Sequence, residues 1–124
     1  MGKVLDIMNL TDKNGDIDVG RILDLLKCNE TELAQSLGIC NLVHSTASLR
    51  IALQNKLFYQ QLLQVICIVN FVQEMGSTRR EAFLWFYEEQ IPAFGGVTAK
   101  ECVQNHQFEY VMDYLQSIKL GGYA

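Results

Sequence analysis

The sequence is poor in the residues that usually punctuate or functionalise a chain. One proline, one tryptophan and two histidines occur in 124 residues. No CxxC pair exists among Cys28, Cys40, Cys67 and Cys102, which excludes the usual paired zinc knuckles. Cys40 and His44 are spaced as a half-site on a helix, but no second pair completes it, so no metal is expected. Cys67 and Cys102 read as small core residues. Basic residues are outnumbered, with 10 Lys and Arg against 14 Asp and Glu and a net charge of -4. That balance argues against indiscriminate nucleic-acid or membrane binding. Met1 to Leu10 contains Asp6 and Asn9 and leads into no long apolar run, unlike a secretory signal. Val65 to Val72 is the most apolar stretch, too short for a bilayer and preceded by Gln60, Gln61 and Gln64. Reduced thiols and a cytoplasmic setting are the default expectation.

What the chain does have is apolar bulk, 49% of its residues, enough for one compact domain or two subdomains sharing a core. Strand-type alternation is absent and helical periodicity runs nearly throughout, so the expected class is all-α. Helix starts are readable. Thr78 and Glu81, Thr98 and Glu101, and by a close analogy Asn29 and Glu32 have capping-box spacing. Each cap contributes about 1 kcal/mol. The pattern predicts helices over 18–28, 30–37, 41–52, 55–74, 78–90, 98–104 and 107–118, with a further short one within Met1 to Leu10. Gly38 ends the second in the left-handed role, Pro92 stops the fifth, and Gly95-Gly96 marks a tight turn. Gly76-Ser77 divides the chain into 1–76 and 77–124.

Asp12 to Asp18, DKNGDID, begins like a calcium loop and fails on counting. Asp12, Asn14 and Asp16 fit positions 1, 3 and 5, but Ile17 replaces the glycine at 6, Gly20 stands at 9 and Leu23 replaces the closing glutamate. A polar turn, with Asp16 or Asp18 capping the next helix, is the expected structure.

Three segments carry further information. The long helix has Leu57, Phe58, Leu62, Leu63, Val65, Ile66, Ile68, Val69 and Val72 over most of its circumference. Its cover must come from its own neighbours or from a second copy in a homodimer. Glu30 to Arg50 has helix-turn-helix spacing, with small Ala34 for close approach and Gly38 at the turn. A DNA-reading version would use Asn41, Ser45, Thr46, Ser48 and Arg50 on operator DNA, with His44 beside them. Arg50 is its one basic residue, little for neutralising phosphates, and His44 falls where an apolar residue is usual, so the motif is degenerate. Phe83 to Ala124 forms no catalytic constellation: His106 has no sequence neighbour to work with, and Glu88-Glu89 read as a solvated helix end. A non-enzyme is expected.

That last segment carries a resemblance. Trp85, Pro92, Phe94-Gly95-Gly96, Thr98-Ala99, Tyr114-Leu115 and the terminal Gly121-Gly122-Tyr123-Ala124, in this order, resemble the toxin-binding domain of Xre/MbcA/ParS-type antitoxins. The resemblance covers Ala82 to Ala124, extends through the Leu57–Val72 helix and fades before Glu30. It implies a bacterial type II antitoxin whose partner is a RES-domain toxin that consumes NAD. Antitoxins of this kind set their C-terminal segment at the mouth of the toxin's NAD pocket, commonly dimerise through the N-terminal region, and often repress their own operon. Carried over, the toxin-binding residues are Trp85, Pro92, Phe94, Gly95, Gly96 and Lys119, Leu120, Gly121, Gly122, Tyr123 and Ala124. No cofactor is implied for the chain itself.

Overall fold

Helix starts in this protein are set by short side chains that take up free amide groups. The structure, a computed structural model, describes residues 10–120. Helix takes 68% of it, in seven α-helices and two short 3-10 turns, with a two-stranded hairpin as the one sheet among the described residues. The expected all-α class holds. Asp18 caps α1 (Val19–Leu26) by accepting the Arg21 amide at 3.0 Å. The reciprocal boxes expected from sequence are all formed: Asn29/Glu32 opens α2 (Glu30–Ser36), Thr78/Glu81 opens α5 (Arg79–Glu88), and Thr98/Glu101 opens α6 (Ala99–Gln104). Asn55 caps α4 (Lys56–Glu74), and α7 (Phe108–Lys119) starts without a side-chain cap.

The helix expected over 41–52 is corrected. Cys40–Leu42 form a 3-10 turn, Val43 is extended, and α3 runs only over Thr46–Leu53. The cause is a box that the sequence hides. Ser48 takes the glutamate's part, its Oγ accepting the amides of His44 and Ser45 at 2.8 and 2.9 Å while its own amide donates to Ser45 Oγ. The fifth helix also ends early, at Glu88, because Gln90–Ile91 (β1) pair antiparallel with Val97–Thr98 (β2). Strands of two residues carry no alternation to read.

The DKNGDID stretch is the expected polar turn. Asp12 Oδ1 accepts the amides of Asn14 and Asp16 at 2.8 and 3.1 Å, and Thr11 bridges Ile17. The short helix expected within Met1 to Leu10 falls on residues 1–9, outside those described.

The α4 helix is the central post. Leu62, Val65, Ile66, Ile68 and Val69 are buried beneath α3, α5, α6 and α7. Its cover is therefore supplied within one chain. An outward stripe is left, running through Leu57, Gln60, Gln64, Cys67 and Phe71. Cys67 lies on it and is exposed, which corrects its reading as a core residue; Cys102 is buried as expected. Apolar residues from both sides of Gly76 form one core cluster, since α1 touches α5 and α2 touches α6.

Candidate partner-binding face and the grip on α2

The hairpin after α5 is built around one proline and two glycines. Ile91, ahead of Pro92, has the extended backbone that a following proline imposes. Pro92–Phe94 make a 3-10 turn, and Gly95 and Gly96 then take φ of 77° and 91°. A β-carbon at either glycine would meet nothing within 4 Å, so the backbone conformation, not space, demands glycine. Gly96 closes the loop by donating to the Ile91 carbonyl at 3.0 Å. This leaves Pro92 and Ala93 exposed at the tip.

Phe94 is half-buried, its ring centroid 5.6 Å from that of Tyr114 on α7 and tilted by 57°. That contact ties the hairpin to the helix whose end carries Lys119 and Leu120. Lys119 Nζ sits 5.1 Å above the Phe71 ring of α4, and Leu120 is 86% exposed. Trp85 is half-buried and packs on the core from α5. Of the residues picked out by sequence, Phe94, Gly95, Gly96, Pro92 and Lys119 thus belong to one connected hairpin-and-helix unit. Gly121, Gly122, Tyr123 and Ala124 lie outside the described residues.

The candidate DNA-contacting residues are arranged differently. Residues 37–45 separate α2 from α3, longer than the turn of about three or four residues in a helix-turn-helix. Ser45 and Ser48 are engaged with each other, and Thr46 Oγ1 donates to the Glu30 carboxylate. Asn41 stays exposed in the 3-10 turn. Arg50 is exposed, but it lines a shallow cavity with Asp12 and Asp18, whose charge opposes attraction of a phosphate.

A third cluster was not visible in the sequence. Arg80, in the first turn of α5, reaches α2 with both guanidinium nitrogens on the Glu32 carboxylate at 2.9 and 3.0 Å, and donates to the Lys27 carbonyl at 2.8 Å. Arg79 donates to the Leu25 carbonyl at 3.3 Å. The Arg80 hydrogen bonds hold the Glu32 carboxyl below its ordinary range, against an opposing effect of burial. Beside them burial, aided by the Glu32 charge, pushes the Cys28 thiol up to about 12, which makes it a poor nucleophile. Nothing in the local pattern could pair groups 48 residues apart. The one signal was that Glu32 already had a role.

Among the described residues no group of three or more His, Cys, Asp or Glu converges on a metal position, and no helix is long and apolar enough to cross a membrane. Comparison with protein-family models, with curated proteins and with solved structures finds no match to the chain.

Proposed function

We propose that this protein is a non-enzymatic antitoxin that neutralises a RES-domain toxin by covering the entrance to its NAD pocket. The contact runs over Pro92, Phe94, Gly95 and Gly96 of the hairpin and the end of α7, with Trp85 behind them and the tail to Ala124 entering the cleft. The observation that carries the reading is the Phe94–Tyr114 contact. It binds the proline-glycine hairpin to the helix that leads to the tail, and so supports reading Pro92, Phe94, Gly95, Gly96 and Tyr114 as one unit. Aromatic anchors such as Trp85 and Phe94 suit such a role, because rings contribute large contact area at little entropic cost. A homodimer and a cytoplasmic setting belong to the same proposal.

The alternative, a DNA-binding operon repressor, has weaker support. Three of its five contact candidates already have partners within the chain, and a fourth, Arg50, the segment's one basic residue, lies beside Asp12 and Asp18.

The test is co-expression with a RES-domain protein encoded beside it. Joint purification and halted NAD loss are expected for the full chain, and removal of Lys119 to Ala124 is expected to restore NAD loss at least tenfold. If the truncated chain protects as well as the full one, occlusion by the tail is wrong.

A further inference from the structure

Helix α2 has only seven residues, far fewer than an isolated helix needs in water. Both of its ends are gripped by the C-terminal helices. At its start, the Glu32 carboxylate that completes the capping box by accepting the Asn29 amide is the one that Arg80 holds through two bonds. At its end, Gln104 of α6 donates its side-chain amide to the carbonyls of Gln35 and Ser36 at 2.7 and 3.1 Å. These are last-turn carbonyls, which no amide inside the helix can satisfy, although that of Gln35 also accepts the Gly38 amide at 3.1 Å just beyond it. Tyr87 of α5 adds a hydrogen bond to the Gln35 side chain. From α2 the connection continues, since Glu30 accepts from Thr46 at the start of α3.

We infer that α2 is a conditional helix, held in shape by α5 and α6, which passes their state on to α3. A partner or modification that draws Arg80 or Gln104 away opens α2 while the rest of the core persists. This gives the chain a route from its C-terminal helices to its N-terminal surface that does not depend on the antitoxin reading. The physical basis is local unfolding that starts at the helix ends. Leu33 and Ala34, with Leu37 just beyond, seat α2 on the core, while its short ends, with few internal bonds, open below the global free energy when their external partners leave.

Amide hydrogen exchange on the full chain tests this, comparing the parent with Gln104→Ala and, as a gentler change, Arg80→Lys. Lysine keeps the charge but cannot reproduce the two-bonded grip. Gln104→Ala is expected to speed exchange of Leu37, Gly38 and Ile39, whose amides close the end of α2, by roughly tenfold relative to Val65–Val69 in α4. Arg80→Lys is expected to do the same for Leu33, which bonds back to Asn29. In both variants Leu49 of α3 is expected to follow. Exchange that rises equally in α2 and α4 overturns the inference, and so does a faster α2 beside an unchanged α3. Should Gln104→Ala fail to fold, Arg80→Lys decides.

Discussion

Around α2 and α3 the polar side chains turn back onto the chain, whereas around the hairpin and the end of α7 they are left outward. Ser45, Thr46 and Ser48 are engaged in starting α3, and Glu32, Gln35 and Gln104 in fastening α2. By contrast Glu88, Glu89 and Gln90 lie exposed ahead of the Pro92 tip, and α7 ends on an exposed Lys119 and Leu120. A surface that recognises another molecule needs donors, acceptors and apolar groups that the chain has not already used. By that measure the two regions differ in their polar groups, which the first spends on starting and fastening its own helices. In apolar groups both keep some outward, Leu42 and Ile51 in the first and Leu120 in the second.

The comparison presumes one shared core, and the largest expected effect tests it. Ile66 is 2% exposed within a single chain, so Ile66→Asp places an unpaired carboxylate in that core. A loss exceeding about 4 kcal/mol is expected, enough to unfold the protein. Ile51 on α3 is 66% exposed, and Ile51→Asp is expected to stay within about 0.5 kcal/mol. Circular-dichroism melts with sedimentation analysis distinguish the cases. A folded monomer from Ile66→Asp means that α4 is covered by a second copy after all.

A smaller change sharpens the account of α3. Ser45→Ala and Ser48→Ala are each expected to cost about 1 kcal/mol in urea melts. The double variant is expected to cost less than their sum, because each residue caps the start of α3 through the other. Loss of operator binding with stability untouched would give these serines to DNA and break the contrast between the regions.

How much of this was legible follows from the range of each interaction. Boxes closed over three residues by a Glu at the far end were readable at Asn29, Thr78 and Thr98, and they form as expected. The box at Ser45 was not, because serine at the far end does the same work without the carboxylate signature. The buried face of α4 followed from apolar spacing, but its outward stripe did not, so Cys67 was misplaced. The paired glycines were legible as a turn, while the contact of Phe94 with the Tyr114 ring was not. Arg80 and Gln104 were invisible for a plainer reason: their partners lie 48 and 68 or more residues away, where only the folded chain brings them together.

The smallest expected effect concerns helix ends, where sequence was least informative. Gly38 takes the left-handed position after α2 with φ 71°, and the following Ile39 amide donates back to Ala34. The same geometry recurs twice without glycine. Lys27 (φ 56°) ends α1 with Cys28 donating to Leu23 at 3.1 Å, and His106 (φ 61°) ends α6 with Gln107 donating to Cys102 at 2.7 Å. A side chain in that conformation is strained by roughly 1–2 kcal/mol, while glycine would give back roughly 0.4–1 kcal/mol through its freer unfolded state. His106→Gly is therefore expected to raise stability by about 0.5 kcal/mol in urea melts. Lys27→Gly is expected to gain less, since it also removes the exposed ion pair with Asp24. If His106→Gly destabilises instead, the imidazole contributes something that its exposed position does not explain. Gln64 and Tyr110, which line the same groove as His106, are then where its partner would be sought.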